Sequence, residues 1–297
     1  MAGIRQILQR RRAADSIRRI TRTMEMVSTA KYKTYHHRRD VAAEYEDALS
    51  QIGYLLVTSQ EPINHPVLKA NKSNRSAVLA VGSTRGLCGA YNNHISHLVD
   101  VHIKNAVQFK RELDIYATDS RLLSTLAYRG IKPEKVYPNI DKCLEGIGID
   151  EITDTCINRY IAGEIDTFDI VYMQYFSASS QSVQTMTILP LPELIDNLTT
   201  RSVPIWPYDV SFEDFYLSPD AYEVIKGLAR IIVRASIEFC FMDAALSEHL
   251  ARMVAMRSAT DNAENMIKQL TNEYNVARQS QITGDLLDIV GGTGALQ

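Results

Sequence analysis

Residues 228–283, LARIIVRASIEFCFMDAALSEHLARMVAMRSATDNAENMIKQLTNEYNVARQSQIT, run for 56 residues between Gly227 and Gly284 without a glycine or a proline. Those two residues are the strongest local interrupters of regular structure, so their absence over this length predicts one unbroken helix. The apolar spacing agrees. Leu228, Ile232, Ala235, Phe239, Met242, Leu246, Met253, Met256, Ala263, Met266, Leu270, Tyr274 and Ala277 recur at intervals of three, four or seven, the rhythm of a stripe along one helix face. At ~1.5 Å per residue such a helix is about 84 Å long, against the roughly 50 Å diameter of a compact chain of this size. It is expected to project from the body.

The stretch between Gly3 and Gly53 also lacks both residues. Ile17, Ile20, Met24 and Val27 alternate by three and four, and the same phase resumes at Val41, Tyr45, Ala48, Ile52 and Leu55, with Lys31, Thr34 and Arg38 on the positions between. Two long amphipathic helices at opposite ends of one chain can bury their stripes against each other, which predicts an antiparallel coiled coil. Separate helices in a bundle are the alternative.

Between them the texture changes. Ala77–Val81, Leu113–Ala117 and Phe168–Tyr175 read as buried strands, with helical patterns over Tyr91–Arg111, Ser120–Arg129 and Ile149–Ala162. Alternating strands and helices imply a mostly parallel sheet covered by helices. Ser182–Leu189 reads as an antiparallel edge or hairpin strand. Pro190, Pro192, Pro204, Pro207 and Pro219 then fall within thirty residues and mark an irregular connection, after which Ser218–Pro219 makes a helix start. The expected organisation is an N-terminal coiled-coil helix over 1–60, an α/β domain over 75–190, an irregular connection over 191–218 and a C-terminal coiled-coil helix over 219–290.

The 297 residues are 45% apolar and 23% charged, the composition of an ordinary globular chain and not of a disordered one. Cys88, Cys143, Cys156 and Cys240 contain no close pair, which disfavours a disulfide scaffold or a zinc ribbon. MAGIRQILQRRR has no apolar core after its charges and no stretch reaches the length of a membrane span, so a reducing cytoplasm is expected. Residues 1–39 carry eleven Lys/Arg against Asp15 and Glu25, a net of +9 that leaves −12 for the other residues out of a total of −3. So dense a basic arm suggests an acidic partner, which the sign alone leaves open among nucleic acid, an anionic membrane and an acidic protein.

The most enzyme-like stretch is VLAVGSTRGLCGAYNNHI, Val78–Ile95, a strand entering a helix through a glycine loop. That placement suits an anion, because free N–H groups and a helix dipole face it. Yet Gly82, Gly86 and Gly89 do not make GxGxxG, and no GK[ST] follows, so a tight strand-to-helix turn is the simpler reading. His94 and His97 with Cys88 admit a metal site, but helix-surface histidines explain them as well. Asp141, Glu145, Asp150, Glu151 and Asp154 read as a solvated acidic face. No GxSxG or HExxH occurs, so no catalytic site, cofactor or metal is expected. The apolar positions inside the basic arm count against a free nucleic-acid-reading segment, and they turn Arg18, Arg19 and Arg22 outward. A phosphate-binding α/β enzyme domain and a basic coiled-coil adaptor remain the readings from other classes.

Three motifs go further. ITRTMEMVSTAKY (Ile20–Tyr32) is similar to the ITKAMEMVAASK signature of the γ subunit of F-type ATP synthases, Ser247–Gly292 resembles that family's C-terminal signature almost continuously, and GSTRGLCGAYN (Gly82–Asn92) looks like its central loop. The resemblance implies a long antiparallel coiled coil of the terminal helices around a central Rossmann-like α/β domain. It implies a non-catalytic rotor that carries rotation of a membrane c-ring to a catalytic ring of α and β subunits, with ε as a further partner. It also implies a peripheral position on the cytoplasmic face of a bacterial inner membrane. Carried over residue by residue, Met24, Arg252, Gln279 and Thr283 stand at positions that touch β. Arg18, Arg19 and Arg22 face acidic ring surfaces, and Arg85, Gly86, Cys88 and Gly89 form the central loop. Gly284 replaces a usual glutamine and Leu250 a usual alanine, while Thr29 and Tyr32 alter the segment after MEMV. No inserted loop with a close cysteine pair implies the chloroplast thiol switch.

Overall fold

The computed structural model describes residues 2–57, 65–144, 146–199, 218 and 221–294. Helix α1 covers Ala2–Val57, and the last helix, α7, covers Ala221–Gly294. Between them lie β1 (Arg75–Ala80), α2 (Tyr91–Gln108), β2 (Glu112–Thr118), α3 (Ser120–Tyr128), β3 (Lys135–Tyr137), α4 (Ile140–Cys143), α5 (Ile147–Ile161), β4 (Thr167–Ser177), β5 (Ser180–Leu189) and α6 (Leu191–Thr199). The chain divides into two units. One contains residues 1–30 and 252–297, the other residues 31–251.

The larger unit is built on a five-stranded sheet of order β3-β2-β1-β4-β5. β1 pairs in parallel with both β2 and β4, β2 with β3, and β5 folds back antiparallel on β4. Because β1 is followed by β2 on one side and β4 on the other, its carboxyl end is the place where the winding direction reverses, and open α/β sheets form their crevice there. Val78, Ala80, Ala117, Val171 and Met173 from the strands pack with Tyr91, Ile95, Val99, Leu122 and Leu126 of α2 and α3. Residues 232–250 of α7 also belong to this unit, and Ile232, Val233, Ile237, Cys240, Phe241, Ala244 and Leu246 are buried around much of the helix circumference. A helix apolar on most sides needs a body around it. Tyr91 supplies one tie, its hydroxyl donating to the Ala244 carbonyl at 3.0 Å.

The sequence-expected strands and helices are present, with differences that have local causes. α2 ends at Gln108, short of Arg111, because Lys110 takes φ +53 and the Arg111 N–H closes onto the Ala106 carbonyl at 2.8 Å, a left-handed helix stop. Leu191–Thr199 is helical where prolines suggest an irregular connection. Pro192 sits in its first turn, where the missing N–H has no intrahelical partner to lose. β3 and α4, of three and four residues, are too short for a periodic signal. Residues 200–217 and Pro219 lie outside the described residues.

The larger correction concerns the seam of α1. In the smaller unit the buried positions are Ala14, Thr21 and Ser28, while Ile17, Ile20 and Val27 are 53%, 59% and 51% exposed. In the larger unit Tyr35, Glu46 and Leu49 are buried and Val41, Tyr45 and Ile52 are exposed. From Ala14 to Leu49 the buried face lies one residue after the apolar stripe, about 100° around the helix. Several polar side chains on this side of α1 are bonded internally. Tyr35 donates to Asp141 Oδ1 at 2.5 Å, Tyr32 and Tyr175 share a hydrogen bond of 2.8 Å, and Arg39 pairs with the fully buried Asp243. On α7, Met266 is likewise exposed, while Met256, Ala263 and Leu270 are buried.

Candidate functional site: the paired termini and the glycine loop

In the smaller unit, α1 and α7 run antiparallel. The Thr21 and Thr260 hydroxyls meet at 2.8 Å, and Arg11 lies 5.5 Å from the centre of the Tyr274 ring, so advancing along one helix means retreating along the other. Small side chains on the buried positions, Ala14, Thr21, Ser28, Thr260 and Ala263, let two helix backbones approach closely. The wider side chains of α1 are left on its outer side.

Met24 is half-buried beside this seam. Gln279 and Thr283 are exposed on α7, where the Thr283 hydroxyl donates to the Gln279 carbonyl at 2.9 Å. Arg252 is only 4% exposed, unlike the other three positions carried over with it. The three arginines also separate. Arg19 and Arg22 are exposed, but Arg18 falls on the shifted seam, half-buried and bonded to Asp15 Oδ1 at 2.8 Å. Arg18, its side chain 37% exposed, is thus less open than Arg19 at 77%. Asp15 also takes Arg19 at 2.9 Å.

The glycine loop leaves the carboxyl end of β1. Gly82 donates its N–H to Thr118 Oγ1 at 3.0 Å, and Ser83 donates to Asn92 Oδ1 at 3.0 Å. A Cβ on Gly82 would stand 2.4 Å from Leu122 Cβ, so only glycine lets this strand end touch α3. Gly89 turns the chain into α2 with φ +63, a backbone that L side chains rarely adopt. Cys88 is buried, with its thiol 3.5 Å from Ser83 Oγ. Gly86 packs beside Arg121, and Arg85 is exposed.

The next two amides decide what the loop does. Thr84 donates to Glu248 Oε2 at 2.9 Å and Arg85 donates to Glu248 Oε1 at 3.3 Å. Glu248, on α7 and 2% exposed, therefore sits where the loop would hold an external anion. Backbone amides grip a carboxylate for the same electrostatic reason that they grip a phosphate. The loop is thus an internal clasp between the α/β sheet and α7. Glu248 carried no motif signal, because its partner amides are distant in sequence.

The electrostatics around the clasp are unusual. Asp119, the residue before α3, is 4% exposed and its backbone stands at φ +67. Burial, together with the neighbouring Glu248 charge and against hydrogen bonds from Thr118, the Ile140 N–H and Thr84, pushes its carboxyl up to about 7. On the adjoining α4, burial acts upward on Asp141, but the Tyr35 hydroxyl and the Lys31 ammonium outweigh it and hold the carboxyl below its ordinary value.

The family model described as ATP synthase matches residues 3–296. A chain named ATP synthase gamma chain from Rhodopirellula baltica is 35% identical over the whole of both chains, and one from Leptospira biflexa is 31% identical over the whole of both. The chain belongs to the ATP synthase gamma chain family. It is accordingly the central-stalk rotor subunit of an F-type ATP synthase and not its catalytic subunit. Solved structures share the fold of this gamma chain. A chain in the cryo-EM structure of the Euglena gracilis mitochondrial ATP synthase, comprising OSCP, F1 and the c-ring, is 17% identical with a TM-score of 0.68 over 99% of this chain and 95% of its own length. A chain in the Tetrahymena thermophila mitochondrial ATP synthase central stalk and c-ring is 19% identical with a TM-score of 0.54 over 81% and 99%. No helix of the described residues is long and apolar enough to cross a membrane.

Proposed function

We propose that this gamma chain turns inside a ring of α and β subunits through the outer side of its paired termini. Its α/β domain meets ε and the c-ring, at the cytoplasmic face of a bacterial inner membrane. The observation that carries the reading is the shifted seam. Ile17, Ile20 and Val27 form an exposed apolar stripe beside exposed Arg19 and Arg22, while Thr21 of the buried seam is bonded to Thr260. A face at once apolar and basic fits a close sleeve lined by apolar and acidic side chains. Met24, Gln279 and Thr283 are the direct contacts to β in this reading. Buried Arg252 acts by holding its neighbours, Arg18 through its bond to Asp15, and the Arg85, Gly86, Cys88 and Gly89 loop through its hold on α7.

Co-purification tests it. The tagged full chain expressed with the α and β subunits of its own organism is expected to bring both down in a defined complex, and replacing Ile17, Ile20 and Val27 together with serine is expected to reduce that yield. Equal recovery by the triple variant would remove the stripe from the interface.

A further inference from the structure

We propose that Tyr32, Tyr35 and Arg39 are positioning residues that set the rotation of α1 about its own axis, and through it the side chains that its 14–28 stretch turns outward. The proposal deepens the rotor reading and rests on it only for what that outer side meets.

Steps of seven residues along α1 offer two adjacent registers for burial. One runs through Ile20, Val27, Thr34 and Val41, the other through Ala14, Thr21, Ser28, Tyr35, Ala42 and Leu49. Over residues 14–28 apolar area favours the first, because Ile20 and Val27 outweigh Thr21 and Ser28. The helix nevertheless buries the second, with only Ala42 half-buried, and leaves Ile20, Val27 and Val41 exposed. The balance reverses at the step from Thr34 to Tyr35. There the second register holds the larger side chain, and there the helix is anchored.

The anchors come from three elements of the larger unit. On α4, Asp141 accepts the Tyr35 hydroxyl at Oδ1, 2.5 Å away, and the Lys31 ammonium at Oδ2, 3.4 Å away. On α7, His249 stacks on the Tyr35 ring at 5.5 Å with 15° between the planes, and Asp243 pairs with Arg39. On β4, Tyr175 shares a 2.8 Å hydrogen bond with Tyr32 and meets the His36 ring edge-on at 5.8 Å, and its ring centre lies 5.5 Å from Arg39 Cζ. Tyr32, Tyr35 and Arg39 are spaced by three and four, so they share one helix face. Turning α1 by one residue, about 100°, would break all three attachments.

The helix carries this orientation along its length. Between Gly3 and Gly53 it contains no glycine or proline, the usual sites of kinks. Thr21 lies two steps of seven, about 21 Å, from Tyr35 and on the same register. Ile20 and Val27 are thus held outward by anchors that lie further along the chain. The Thr21–Thr260 bond fits this orientation, but it joins hydroxyls that also have acceptors on their own helices, so it is the weaker constraint.

Hydroxyl-radical footprinting of the free full-length chain, read by mass spectrometry, tests the proposal without α, β or any other partner, so its outcome is separate from the rotor contacts. Replacing Tyr32 and Tyr35 together with alanine removes two of the anchors. Modification of Ile20 and Val27 is expected to fall by about threefold, as half-exposed side chains turn by one residue's angle into the seam. Leu122 and Leu126, buried in the α/β core, should stay protected. Loosened packing would raise modification at Ile20 and Val27, so the sign separates positioning from simple support. Tyr35→Phe keeps the ring and loses only the Asp141 bond, and a smaller fall is expected. Asp141→Asn still accepts that bond and should retain the wild-type pattern. Unchanged or increased modification of Ile20 and Val27 in the double variant, with Leu122 and Leu126 protected, overturns the proposal. If Leu122 and Leu126 become modified, the double variant has unfolded and Tyr35→Phe decides alone, an unchanged pattern there overturning the proposal equally.

Discussion

Thr21 and Thr260 face each other across the smaller unit with their hydroxyl oxygens 2.8 Å apart, 7% and 6% exposed. Each also has a backbone acceptor on its own helix, the Arg18 carbonyl at 3.1 Å and the Met256 carbonyl at 2.9 Å, which the hydroxyl that donates across the seam gives up. Losing one hydroxyl therefore does not orphan the other. Thr21→Val is expected to lower stability by about 1 kcal/mol and Thr260→Val similarly. The double variant should cost less than the sum by roughly 0.5–1 kcal/mol. Denaturant unfolding of the four proteins closes the cycle, and strict additivity would show that the two hydroxyls do not interact.

The same seam shows how far the sequence was legible. Heptad spacing gave the two helices and their length, since a run without glycine or proline has few other outcomes. It did not give the rotation of α1. Apolar side chains define a stripe only when nothing competes for the buried face, and here Tyr32, Tyr35 and Arg39 each carry a polar partner of their own. Small Thr21 and Ser28 then permit a closer approach than Ile20 and Val27. The strands were legible as β-rich runs between helical ones, but Glu248 was not, because nothing in SEHLARM marks which of its polar residues reaches a loop more than 160 positions away.

In the reading proposed above, the exposed pair Arg19 and Arg22 is expected to act on a partner more than on the fold. Replacing both with glutamine is expected to leave the melting temperature of the free chain within about 2 °C, since exposed charges contribute a few tenths of a kcal/mol. Association with the α and β subunits should weaken several-fold at low ionic strength. The difference from wild type should shrink as salt rises, because screening removes from the wild type what the substitution removes from the variant. Binding measured across a salt series checks the sign.

Asp119 imposes a pH dependence on stability. Its carboxyl titrates near 3.9 when unfolded and at about 7 when folded. Between those values the folded chain holds a proton that the unfolded chain has lost. Stability therefore declines as pH rises through this window and levels off above it, a penalty on the order of 4 kcal/mol at pH 8. Asp119→Asn keeps the site neutral, so its stability relative to wild type should grow from pH 4 to about pH 7 and then stay level. Parallel stability curves for the two proteins would mean that the carboxyl ionises normally.

The glycine loop also makes a prediction about nucleotide. A triphosphate site needs free loop amides and a lysine that reaches the outer phosphates. Here the Thr84 and Arg85 amides already hold Glu248, and the loop sequence GSTRGLCG carries no lysine. Calorimetric titration of the full chain with Mg-ATP is expected to give no binding heat. Glu248→Ala separates the two requirements, because it frees the amides without adding the lysine. That variant should take up a small anion such as inorganic phosphate only at millimolar concentration, with the melting temperature rising in proportion to ligand binding, and it should still show no tight site for Mg-ATP. Micromolar Mg-ATP binding by the wild type would mean that the carboxylate leaves the loop readily, and the clasp would not be what joins α7 to the sheet.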